Sequence, residues 1–280
     1  MRPIKHVATL VALSAASLTL TACPKDKAEP LTLADARDAA EESNISSQAS
    51  ALTSNTVEIT TNFTIGGAVQ NAAAEVRTFV QSQLPCAEIA LADATLTIKY
   101  GAKPGNCTYR GNTYSGEHSV KVSRNEEKEV VVEHTWTDLS NGKVKVSGTA
   151  TATWSLANKS RRVQHDMQWT RISDGRTGRG TGDRTQTALN GNIAEGISVN
   201  GSRTWEGKSG KWELAIEGVE ARWVDPIPQA GRYRLASPKN QSIELTFSRV
   251  DADTIKATVK SGDKTFSFNV TSAGGVKDDA

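Results

Sequence analysis

The chain has 280 residues, of which 37% are hydrophobic and 23% charged, with 33 Lys and Arg against 31 Asp and Glu. That is the balance of a globular protein, long enough for one large β domain or two ordinary domains. Two of the basic residues, Arg2 and Lys5, fall in the first 22 positions, which hold no acid. The remainder is therefore neutral, which argues against general nucleic-acid binding and against attraction to an anionic membrane surface.

The N-terminus opens Met1-Arg-Pro-Ile-Lys-His6, a short basic segment, followed by sixteen uncharged residues from Val7 to Ala22. A spanning helix needs about 20 mostly apolar residues. A basic start, a shorter apolar middle and small residues before a cut read instead as a secretory signal over residues 1–22. Leu20-Thr-Ala-Cys23 resembles the lipobox of bacterial lipoproteins: an aliphatic residue, two small residues and an obligatory cysteine. The resemblance implies a diacylglycerol thioether on Cys23, a cut just before it and acylation of the new amino terminus. Several acyl chains anchor stably where a single one does not. Pro24 stands where that family often carries an Asp for inner-membrane retention, so the resemblance implies outer-membrane sorting, on the periplasmic or surface face. An ordinary secretory signal cut near Ala22 is the alternative.

Cys86 and Cys107 then remain as an even pair in an exported chain, and a disulfide between them is expected. It would close about twenty residues and stabilise by on the order of 3 kcal/mol. A zinc site would need two further ligands at suitable spacing, and the nearest histidine is His118.

Residues 23–56 read as a polar tether without aromatics, part of it disordered or weakly helical. Leu33, Ala36 and Ala40 have helical spacing, with Thr32 as a cap. One β-rich domain is expected over 57–280. Val57 to Ile65 alternates like a strand, and Gly66-Gly67 ends it. From Ala68 to Leu84 the period changes. Val69, Ala73, Val76, Val80 and Leu84 recur at three or four with Phe79 beside them, which predicts an amphipathic helix over 68–84, stopped by Pro85. The expected disulfide would tie the end of this helix to the loop after a strand at 94–100.

The rest reads as β. A run from Val130 through Trp136 precedes Leu139-Ser-Asn-Gly-Lys-Val144, where Asn141-Gly142 suits a type I′ turn. Pairing around that turn sets Leu139 opposite Val144 and Val131 opposite Ala152. The core face is then expected to hold Val131, Leu139, Val144, Val146, Ala150, Ala152 and Trp154, with Glu133 misplaced on it. Val132, His134 and Trp136 fall on the other face. Alternation recurs at 212–217, 243–248, 255–260 and 266–270, the last three forming a meander. The fold class is mainly β, a large antiparallel sheet or β-sandwich meander of ten to twelve strands with one N-terminal helix. No unit repeats at a fixed period.

Motifs that carry chemistry are sparse. Gly178, Gly180 and Gly182 in "SDGRTGRGTGDRT" lack the lysine and the strand–loop–helix setting of a phosphate loop. Arg176, Arg179 and Arg184 could meet an anion, and an exposed hairpin tip is the plainer reading. His118, His134 and His165 are the histidines beyond the signal, and Asp166 follows the last of them. No Gly-x-Ser-x-Gly elbow occurs, so no catalytic, metal or cofactor residue is named. Six tryptophans, at 136, 154, 169, 205, 212 and 223, are expected mainly to fill the core, with a sugar-stacking platform as the alternative. Cys107, Gly111, Tyr114, Gly116, Val146, Gly148 and Thr149 resemble a pattern in uncharacterised bacterial envelope lipoproteins, over about residues 95–190. That likeness implies β structure and export and carries no catalytic residue.

Three functions fit this reading. The first is a non-enzymatic, membrane-anchored envelope binding or scaffolding protein whose protein or envelope partner is open. The second is a carrier for a lipid or other apolar ligand. The third is an envelope-polymer hydrolase, which would need His134, His165 and acids gathered in one cleft. The membrane, through the lipid on Cys23, is the single partner named.

Overall fold

The structure is a computed structural model that describes residues 49, 52–53, 56, 69–109, 112–155, 157–192, 195–222, 224–225, 227–271 and 276–278. The signal, Cys23, most of the 23–56 segment, the strand expected over 57–65, Gly111 and Trp223 lie outside the described residues.

Helix α1 spans Val69–Gln83, and its register agrees with the period of three or four. Ala72, Ala73, Val76, Val80 and, just beyond it, Leu84 are buried. Cys86 follows Pro85 and is bonded to Cys107, with 5.3 Å between their Cα atoms. The bond therefore ties the end of α1 to the loop after the second strand.

Among the described residues sixteen strands follow: β1 Glu88–Ala92, β2 Thr95–Tyr100, β3 Thr108–Tyr109, β4 Asn112–Thr113, β5 Ser115–Arg124, β6 Val130–Ser140, β7 Val144–Ser155 and β8 Ser160–Arg171. The second half comprises β9 Thr177–Ala188, β10 Gly196–Gly207, β11 Gly210–Arg222, β12 Ala230–Ala236, β13 Ser242–Arg249, β14 Thr254–Ser261, β15 Lys264–Thr271 and β16 Val276–Asp278. Fourteen of them form one antiparallel sheet in strict chain order, and β3 and β4 make a small hairpin beside it. The ten to twelve strands expected undercount it, because β8, β9 and β10 carry too many Arg, Gln, Thr and Gly to show a clean apolar alternation.

One face of this sheet, the inner face, carries the core. Leu96 and Ile98 of β2, Val120 and Val122 of β5, and Val130, Val132 and Trp136 of β6 are buried there. Helix α1 packs on β1, β2 and β5. Helical residues Ala49, Leu52, Thr53 and Thr56 are buried as well, and the Trp136 indole N–H donates to Thr56 Oγ1 at 3.0 Å. Of the other tryptophans, Trp169, Trp205 and Trp212 are buried and Trp154 packs against the core.

The structure corrects the face assignment on β6. Val130, Val132, His134 and Trp136 point inward, and Val131 does not. Val132 rather than Val131 faces Ala152, and Leu139 faces Val146 rather than Val144. Two features cause this. Asn141 is not a positive-φ residue and Gly142 is (φ 81°), so the turn is not type I′. Asn141 Oδ1 instead accepts the N–H groups of Lys143 and Val144. The register then shifts between Trp136 and Leu139, where Asp138 has φ 49° and its N–H donates to Ser147 Oγ. A bulge adds one residue to one strand, and a one-residue slip carries every side chain beyond it to the other face. With the faces exchanged, Glu133 is outward and ion-paired to Lys121 at 3.2 Å. Gly116 (φ 92°) backs this bulge, since a Cβ there would lie 2.2 Å from the Asp138 carbonyl oxygen.

Candidate binding face

Strand β9 determines what the inner face can hold beyond β8. Only the start of the glycine-rich segment is a hairpin tip, and from Thr177 onward it is strand. Gly178, Gly180 and Gly182 therefore share the inner face, because side chains on a strand alternate. They leave a floor without side chains. A Cβ at Gly178 would lie 2.7 Å from Trp169, and one at Gly180 would lie 2.9 Å from Trp205 Cβ. At Gly182 it would lie 2.3 Å from His165 Cε1 and 3.1 Å from Arg203 Cγ. Gly201 (φ 144°) on β10 answers instead to the neighbouring backbone, since a Cβ there would lie 2.2 Å from the Asp183 carbonyl oxygen and 2.6 Å from Arg184 Cα. Gly182 thus makes the room that His165 and Arg203 occupy.

All three are half-buried. Burial and the charges of Arg184 and Arg203 push the His165 imidazole down to about 4, so it is neutral near pH 7. Burial, and next the neighbouring Arg184, lower Arg203 to about 10. Burial lowers Arg184 too and raises the Tyr233 phenol, which lies within electrostatic reach of both guanidiniums. Arg203 also lies over the Trp205 ring, 5.5 Å from its centroid. Arg161 lies on the same face, over the ring of Trp154 and hydrogen-bonded to Gln186 Oε1 at 2.9 Å.

Cross-strand register fixes what adjoins these cations. One row runs His165, Gly182, Arg203, Leu214, Leu235 and Ile243. The next runs Arg184, Gly201, Ile216, Tyr233, Leu245 and Val259, ending at Phe266. Leu235, Ile243, Leu245 and Val259 are half-buried, and Phe266 is 55% exposed. The face therefore grades from a cationic band at β8–β10 to an apolar surface at β12–β15, where Leu235 and Ile243 pack against the core, Phe247, Ile255 and Ala257 form a second buried cluster, and Val259 and Phe266 are partly open. Among the described residues, the inner positions of β5 to β15 include no Asp or Glu.

The other histidines form a different group. His118 and His134 are buried, share a hydrogen bond of 3.0 Å between Nε2 and Nδ1, and stack with Trp136. Burial lowers both pKa values, His134 to about 3, with Arg161 adding to the effect on His134. His165 is on β8 beyond β7, and Asp166 projects to the opposite, outer face, where it binds Arg179 at 2.8 Å. Of the three arginines singled out in the sequence, Arg179 is thus committed to Asp166, Arg176 lies in the turn before β9, and Arg184 alone faces inward. The outer face carries two open depressions of about 470 and 500 Å3, lined largely by Thr, Gln and ion-paired Asp and Arg. Among the described residues no cluster of three or more His, Cys, Asp and Glu could hold a metal, and no helix is long and apolar enough to cross a membrane.

Arg203 and Tyr233 escape a motif-based reading. The signal that finds Arg203 is the alternation Val199, Gly201, Arg203, Trp205, in which an arginine takes a core position. No protein-family model matches the chain, and neither a curated protein nor a solved structure matches it.

Proposed function

We propose that this chain is a non-catalytic binding protein of the bacterial cell envelope, held at the outer membrane by lipid on Cys23, and that its inner sheet face takes an apolar ligand at β12–β15. One observation carries the ligand reading. The same face that packs beneath α1 at β2 and β5 presents Leu245 and Val259 half-buried and Phe266 exposed at β13–β15. Exposed apolar patches on a soluble face mark binding surfaces. The hydrolase reading gains no support from the histidines: His165 is apart from the His118–His134 pair, and Asp166 is across the sheet from it.

The neutral fluorophore N-phenyl-1-naphthylamine tests the face. The full chain carrying Cys23→Ala, so that no attached acyl chain competes, is expected to enhance its emission. Val259→Asp on the inner face should abolish the enhancement, and Lys260→Asp on the outer face should not. No enhancement by the parent chain, or full enhancement by Val259→Asp, refutes the reading. Metabolic labelling with a radiolabelled fatty acid tests the anchor, since equal labelling of Cys23→Ala and the parent would remove it.

A further inference from the structure

We infer that Asn190 is a self-modification site: its carboxamide closes on the backbone nitrogen of Gly191 and is converted to aspartate or isoaspartate, which loosens the turn between β9 and β10. Ring closure needs a carboxamide free to approach the next backbone nitrogen, and a glycine there, having no side chain, leaves the approach open. The sequence contains three such dipeptides, Asn141-Gly142, Asn190-Gly191 and Asn200-Gly201. The fold holds two of them shut.

Asn141 is pinned in the β6–β7 turn. Its Oδ1 accepts from the N–H groups of Lys143 and Val144, both at 3.1 Å, and the nitrogen that would attack, Gly142 N, donates to Ser140 Oγ at 3.0 Å. Asn200 lies within β10. Its Oδ1 accepts from the Gly218 N–H at 2.7 Å, and Gly201 stands in the ladder between Arg184 and Ile216. At both positions hydrogen bonds must break before the ring can close, so the reaction waits on local opening. Asn190 is exposed in the short 3₁₀ turn Leu189–Gly191, which connects β9 to β10. It holds left-handed backbone (φ 51°), as does Gly191 (φ 75°). A Cβ on Gly191 would meet nothing within 4 Å, so water has access to the site.

The Gly191 nitrogen bonds to Asn190 Cγ and gives up its proton as the Cγ–Nδ2 bond breaks. Ammonia leaves and a cyclic imide remains. Water then cleaves one of the two C–N bonds of the imide. Cleavage at Cγ gives aspartate, and cleavage at the main-chain carbonyl gives isoaspartate. Water is the single co-reactant, and nothing is oxidised or reduced.

The turn is built so that this change matters. The Glu195 carboxylate is bracketed by two amides, Asn190 Nδ2 donating to Oε2 and Asn192 Nδ2 to Oε1, both at 3.2 Å. Conversion replaces one of these donors with a second carboxylate, so attraction becomes repulsion. Isoaspartate also lengthens the main chain of the turn. Leu189, buried at its start, and the packing of the turn on β10 and β11 are what the change disturbs. This chemistry needs neither the apolar ligand nor the lipid anchor.

The test holds the full native chain in mildly alkaline buffer and maps its peptides by mass spectrometry, with isoaspartate read by enzymatic methyl transfer. Asn190 is expected to convert about tenfold faster than Asn141 or Asn200, with both products present. In concentrated urea the three rates should converge, since the protection of the other two is structural. Equal rates in the native chain, or faster conversion at Asn141 or Asn200, overturns the site. Asn190→Asp tests the consequence. It should speed amide exchange at Asn192 and Glu195 about fivefold and leave Val163 of β8 unchanged. Unchanged exchange at both residues overturns the loosening of the turn. The site comparison uses the parent chain alone, so it decides the matter whether or not the variant folds.

Discussion

The two halves of the inner face are built on one alternation and finished differently. At β2–β6 the face is closed by α1 and by helical Ala49, Leu52, Thr53 and Thr56, and its polar groups are a buried histidine pair beneath Trp136. At β8–β15 it carries arginines beside buried Trp169, Trp205 and Trp212, a second buried cluster of Phe247, Ile255 and Ala257, and half-buried aliphatics. The first half accepts polar groups that can become neutral; burial and the neighbouring Arg161 keep His134 uncharged. The second accepts groups that stay charged. The first kind is buried as a neutral group, and the second keeps its charge where other charges or hydrogen bonds meet it.

The comparison can be broken by substitution. Trp136→Ala should cost about 4 kcal/mol, the range for emptying a large aromatic site in a closed core, as read by denaturant titration. Val132→Asp should cost at least about 3 kcal/mol or prevent folding, and Val131→Asp about 1 kcal/mol or less; equal costs would restore the face assignment of an uninterrupted hairpin. Acidification acts on the closed half. The unfolded His134 binds a proton near pH 6.5 and the folded one near 3. Its contribution is whole above the unfolded value and shrinks as pH falls toward the folded one. At pH 5 His134 alone should remove about 2 kcal/mol relative to pH 7, and His134→Phe should flatten that slope. In the open half, Val259→Ala should cost under about 1 kcal/mol, because a half-exposed side chain has little burial to lose. A cost near that of a sealed core site would show the face to be covered.

Much of this was legible beforehand and some was not, for reasons that differ by residue. Helix α1 and the β13–β15 meander follow from spacing that local chemistry alone sets, and the Cys86–Cys107 bond from an even pair of cysteines. The β6–β7 register does not, because a bulge at Thr137–Asp138 is held by Ser147 and tolerated by Gly116, neither of which is close to it in sequence. Glu133, misplaced on the expected core face, was the visible trace of that error. The arginine pair was half legible. Arg184 stood out among the glycines, but its partner Arg203 emerges only once β9 and β10 are laid side by side.

The strict chain order of the sheet bears on how the molecule comes into being. Among the described residues each strand of the large sheet pairs with the sheet strand before it, and the β3–β4 hairpin stands aside, next to the Cys86–Cys107 bond. A ladder made of neighbours closes short loops, which keeps the entropic cost of each step small. Such a chain can assemble in the order in which it emerges, each new strand finding a finished edge beside it. The last edge to form adjoins the apolar strands β12–β15, so that part of the inner face is completed after the core beneath α1.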